Sequence, residues 1–141
     1  MKKIILTFLL AIYCLTLNSQ SIFGKWISKN DKTGEVDSVI EVYKENEKAY
    51  AKIVEIIDPK KQNSICTLCR NELRNKKILG LNILTGLKQN GTEWSGGNIL
   101  DPRNGKIYDC FIKLINSNKL KVRGYIGISL FGKTTYWERS K

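Results

Sequence analysis

Residues 106–126 read KIYDCFIKLI-NSN-KLKVRGYI. In the second half, Leu120, Val122 and Ile126 fall on one face, and Lys119, Lys121 and Arg123 on the other. Alternation of period two is the mark of a strand with one buried and one solvated face. Asn116 to Asn118 is a polar break, so Lys106–Ile115 and Lys119–Ile126 are expected to form a hairpin. Lys106–Ile115 is less regular, as is Ala49–Ile57. Both are expected to bury parts of two faces, one inside the fold and one beneath a long basic loop.

The same pattern extends in both directions. Upstream, Asn90-Gly91 is a strong hairpin signal between Ile78–Leu87 and Trp94–Leu100. Asp101-Pro102-Arg103-Asn104-Gly105 forms another turn, since Pro presets φ and Asn-Gly tolerates positive φ. Lys25–Ser28, Ser38–Tyr43 and Ala49–Ile57 precede Asp58-Pro59, and Lys133–Arg139 closes the chain. Between Lys60 and Lys77 lies a polar, basic segment with one helical turn expected around Arg70–Arg74. These are eight short strands at hairpin spacing, with no repeat, linker or second domain. An antiparallel up-and-down barrel is the economical closure, because it leaves no unpaired edge.

The first 21 residues are excluded from this domain. Met1-Lys2-Lys3, the apolar run Ile4–Leu17, and Ser19 and Ser21 at small-x-small spacing read as a signal peptide. The apolar run is short of the roughly 20 residues that span a bilayer. A lipoprotein reading of Cys14 is disfavoured by the bulky Tyr13 before it. The expected domain is therefore 22–141, periplasmic or secreted. Removal takes Lys2 and Lys3 along, leaving +9 of the chain's +11 net charge.

Composition closes off several chemistries. Among 141 residues there is no histidine, so Ser-His-Asp and Cys-His catalysis, imidazole metal sites and imidazole pH switching are excluded. A fraction of 42% hydrophobic and 26% charged residues is that of a globular domain, not a disordered one. No paired carboxylates, phosphate loop or other cofactor signal is legible, and no cofactor or metal is expected. Asp101 reads as a turn aspartate bonding the backbone that follows it. Gly96-Gly97 reads as a bulge or close backbone approach. Asn90-Gly91-Thr92 matches a glycosylation sequon, but it reads as turn chemistry.

Export also decides how the cysteines read. After loss of Cys14, three remain: Cys66, Cys69 and Cys110. Outside the cytoplasm a disulfide is favoured over zinc or thioredoxin-like chemistry. The pairing stays open between Cys66–Cys69 and a bridge from Cys110 to either.

Two resemblances follow. Gly24-Lys25-Trp26 at the start and Arg139 at the end look like the signature of the calycins, the superfamily that includes lipocalins. The resemblance implies a closed barrel in which Trp26 and Arg139 sit on adjacent strands as a cation–π pair. More specific are Trp94–Pro102, Gly105–Tyr108, Leu120–Tyr125 and Trp137-Glu138-Arg139, together with Asp58-Pro59, Cys66–Cys69 and Gly80-Leu81. These resemble a bacterial exported family, domain of unknown function 2147. That likeness implies a calycin-like barrel and the exported compartment, and supplies no catalytic residues. Lys133 stands where arginine is expected.

The function expected is a non-enzymatic binding module for a small apolar or amphipathic ligand or a cell-envelope component. Candidate lining residues are Trp26, Trp94, Tyr108, Phe111, Tyr125 and Trp137. The rival arrangement has these rings filling the interior completely. Lys60, Lys61, Arg70, Arg74, Lys76 and Lys77 give the long loop a positive potential suited to an anionic envelope partner. Nucleic acid is not expected, because no stacking aromatics interleave with that run. The alternative of another class is a thiol-redox or hydrolytic envelope enzyme using Cys66 and Cys69.

Overall fold

In the computed structural model, residues 20–141 are described. The signal peptide expected at 1–21, with Cys14, lies outside them except for Gln20 and Ser21. Eight antiparallel strands close into one barrel in sequence order. They are β1 (Gly24–Lys29), β2 (Val36–Glu45), β3 (Lys48–Ile56), β4 (Asn82–Asn90), β5 (Glu93–Asp101), β6 (Lys106–Asn116), β7 (Lys119–Tyr125) and β8 (Gly132–Arg139). Among the described residues, two short 3-10 turns accompany them, Pro59–Lys61 and Asn71–Leu73. The second is the turn expected near Arg70–Arg74. The first starts where the Asp58 carboxylate accepts the Lys60 amide at 3.0 Å, with Pro59 at its opening.

Alternation is cleaner than the sequence suggests. β3 buries Ala49, Ala51, Ile53 and Ile56, and β6 buries Cys110 and Ile112. Neither strand is two-faced, which corrects that expectation. The long loop packs instead on Leu81 and Leu100, beside the open end of the barrel, through Cys66, Cys69 and Leu73. β7 buries Leu120 and Val122 as expected, but Ile126 lies past the strand end and is exposed. β4 begins at Asn82 and not Ile78. Gly80, at φ +87°, turns the chain there. Its amide donates to the Ile53 carbonyl at 2.7 Å, so Ile78–Leu81 lies against β3 before the regular ladder starts.

Glycine is required where β5 bends against β4. The β5–β6 register shifts between Trp94 and Gly97, and Gly96 has φ +78°. A Cβ on Gly97 would collide with the Thr85 carbonyl oxygen.

The main core runs up the barrel axis. Near one end Trp26, Val42, Leu87, Trp94 and Leu120 pack together with Phe23, whose ring meets Trp94 edge-on at 5.4 Å. This plug closes the barrel at the end of the β2–β3, β4–β5 and β6–β7 hairpins. The seam between β1 and β8 is short, with Trp26 opposite Arg139 and Ile27 opposite Glu138. There the Arg139 guanidinium lies 4.0 Å from the centre of the Trp26 ring. It donates to the carbonyls of Ser21 at 2.6 Å, Phe23 at 2.8 Å and Ser117 at 3.0 Å. The N-terminal approach, the seam and the β6–β7 turn are thereby tied to one side chain.

A second cluster of Cys66, Cys69, Leu81 and Leu100, with Leu73 and Ile78 against it, sits under the long loop at the opposite end. Cys66 and Cys69 are bridged, with Cα atoms 5.3 Å apart. Cys110 is a free, buried thiol in the main core. The bridge from Cys110 left open above is excluded, because the thiols occupy different clusters.

Candidate ligand-binding site

Four connections meet at the end away from the tryptophan plug: Asn30–Glu35, Ile57–Leu81, Pro102–Gly105 and Ile126–Phe131. Between them opens a cavity of about 750 Å³, within the roughly 300–1,000 Å³ typical of ligand pockets. The interior is therefore not filled by side chains. Its walls are Ile40, Ile53, Ile83, Ile99, Val122 and Trp137, contributed by seven of the strands together with Tyr108. Trp137, opposite the plug residue Leu120, lies deepest, and the others are inward residues nearer the mouth. The large plug residues occupy the other half, and the difference in side-chain size leaves the space.

The mouth is polar. Asp101 accepts from the Arg103 amide at 3.0 Å, from its Nε at 2.9 Å and from its terminal nitrogen at 3.0 Å. Asp31 pairs with Lys133 and lies 3.8 Å from the Arg103 guanidinium. Burial by itself would raise the Asp101 pKa, but the Arg103 hydrogen bonds outweigh it and hold the carboxyl below its ordinary value. Arg103 is pushed up by the same contact. An apolar cavity with a charged, mutually paired rim suits a molecule with a hydrocarbon body and a polar end.

The six aromatic candidates part company. Tyr108 and Trp137 line the cavity, and Tyr125 borders its mouth. Trp26 and Trp94 are buried in the plug and reach no ligand space. Phe111 lies on the outer face, beneath the Lys121 ammonium at 5.5 Å and 6.4 Å from the Tyr125 ring. The reason is parity: Cys110 and Ile112 point inward, so Phe111 between them points out. Sequence reading passed over the aliphatic walls and the Asp101–Arg103 pair. The walls were legible as inward positions of alternating strands, but the pair required knowing that its turn faces the cavity.

Other candidates are also placed. Cys66 and Cys69 lie outside the cavity wall, against the β5–β6 turn, where the Cys66 sulfur is 3.6 Å from the Pro102 carbonyl oxygen. In that turn Gly105 has φ +72°, and a Cβ on it would strike the Leu68 backbone. Lys60, Lys61, Arg70, Arg74, Lys76 and Lys77 are all exposed, and Lys61 stands at the mouth. Among the described residues, no group of three His, Cys, Asp or Glu side chains is placed to hold a metal ion. No described helix is long and apolar enough to cross a membrane.

Comparison with known proteins agrees with this architecture. A protein from the human pathogen Helicobacter pylori, described as belonging to the lipocalin family, superposes with a TM-score of 0.74 at 24% identity. The match covers 86% of this chain and 84% of that one. At that identity the likeness shows the eight-stranded fold. No curated protein matches the chain. Residues 24–139 match the family described as "Uncharacterized protein conserved in bacteria (DUF2147)", and with a match from the first strand to the last, the chain belongs to that family.

Proposed function

We propose that this protein is an exported, non-enzymatic carrier or sensor that takes a small apolar or amphipathic molecule into the open half of its barrel. The observation that carries the reading is the cavity itself: hydrocarbon walls, one open end and charge confined to the rim. Burial of apolar area supplies affinity at about 25 cal/mol per Å². The Asp101–Arg103 and Asp31–Lys133 pairs then orient a polar end at the mouth. Export is supported by the Met1–Ser21 sequence and suits a bridged Cys66–Cys69 loop.

The test is native mass spectrometry of protein taken from its own envelope fraction, followed by titration with a fluorescent fatty-acyl probe. A retained adduct and saturable one-to-one probe binding are expected. Thr135→Trp, which fills cavity space without deleting a core residue, should weaken the probe by about tenfold (about 1.4 kcal/mol). Absence of an adduct together with unsaturable probe uptake refutes the reading.

A further inference from the structure

The connection between β7 and β8 is apolar and faces water. In Ile126-Gly127-Ile128-Ser129-Leu130-Phe131, the four large side chains are 57–75% exposed. Soluble proteins seldom cluster such residues at one loop tip without a partner. The shape is built, not slack. Arg123 on the outer face of β7 donates to the carbonyls of Ser129 at 2.8 Å and Leu130 at 3.3 Å, and to the Thr134 hydroxyl at 2.7 Å. The Phe131 amide donates to the Ile128 carbonyl at 3.1 Å. With their backbone carbonyls taken up on the barrel side, the side chains are held outward.

Across the mouth, the Ile57–Leu81 loop presents a matching surface. Leu68 and Ile65 are exposed there, at 61% and 43%. The loop carries the six bases already named against only Asp58 and Glu72. None of the six is in an ion pair among the described residues. One end of the barrel therefore joins protruding hydrocarbon to unpaired positive charge, around the opening of a hydrocarbon-lined cavity. Apolar tips enter the headgroup–acyl boundary, and neighbouring lysines and arginines are drawn to anionic headgroups.

We propose that the open end docks on an anionic lipid surface, with Ile128, Leu130 and Phe131 inserted and the basic loop resting on the headgroups. In that pose the cavity mouth faces the acyl layer. A hydrocarbon ligand would then pass between membrane and barrel without crossing water. Docking does not depend on what the cavity holds, and probe binding measured without vesicles separates the two readings.

The test uses phosphatidylglycerol vesicles containing shallow-brominated lipid. The three native tryptophans are buried, so Phe131→Trp adds an indole that reports on the loop. It should shift to the blue and be quenched. Quenching should weaken severalfold on phosphatidylcholine or in high salt, since each base near anionic lipid is worth about fivefold in binding. In vesicle flotation, Ile128→Ser with Leu130→Ser should bind at least about tenfold more weakly, with acyl-probe affinity unchanged, since neither side chain lines the cavity. Arg123→Ala should weaken flotation while leaving every inserting side chain in place. An unquenched indole on phosphatidylglycerol overturns the proposal. So does flotation indifferent to the serine pair, or a concentration-dependent dimer that the serine pair abolishes, since a second copy would then cover the loop.

Discussion

Replacing Arg139 by methionine preserves the length of the side chain and removes everything its guanidinium does. Three charge-assisted hydrogen bonds to carbonyls and one cation–π contact are lost. Hydrogen bonds to charged groups contribute about 1.5–3 kcal/mol each when buried. Arg139 is half-buried and water can replace part of each bond, so we take half the lower value for each and add about 1 kcal/mol for the stacked indole. The expected loss is about 3 kcal/mol, equivalent to roughly 10 °C in Tm for a domain of this size. The effect is not spread over a long ladder, because the β1–β8 seam pairs only Trp26 with Arg139 and Ile27 with Glu138. Urea unfolding followed by tryptophan fluorescence measures it, with Trp26 itself reporting on the seam. Arg139→Lys should recover less than half, since an ammonium cannot serve three carbonyls and an indole face together. A loss under about 0.5 kcal/mol, or full recovery by lysine, would refute the view that this side chain closes the barrel.

Two further outcomes concern the cysteines. Cys66→Ser with Cys69→Ser opens a loop of only four residues and should cost about 2 kcal/mol on the chain-entropy account; hydrogen exchange should rise in Lys60–Lys77 while β1 to β8 stay protected. Burial pushes the Cys110 thiol up to about 12, so native protein should resist alkylation near pH 9. The unfolded thiol ionises near 8.5 while the native one keeps its proton, so the unfolded state binds fewer protons. Stability should therefore be intact below about pH 8.5 and fall between there and pH 12. Cys110→Ala should remove that alkaline loss, and an unchanged alkaline slope in this variant would exclude the thiol as its source.

The sequence by itself determines the barrel of this protein. Alternation in Lys119–Tyr125, the Asn90-Gly91 turn and the absence of any long helical period are local facts, and local facts fix strands and hairpins. Trp26 and Arg139 mark the seam in advance, because a meander that closes brings its first and last strands together. Other features depended on the tertiary structure. Whether a ring points into the barrel is a matter of parity and bulges, and so Phe111 lies outside while Tyr108, three residues earlier, lies within. Whether the interior is full depends on how volume is shared between the two ends: Trp26, Trp94 and Leu87 fill one, while isoleucines and a valine leave the other open. Cys110 could not be assigned until the fold placed it in a different cluster from Cys66 and Cys69. Ile126 looked like one more inward residue of β7. Only the end of the ladder at Tyr125 shows that the chain has left the sheet there, so its apolar side chains meet solvent instead of the core.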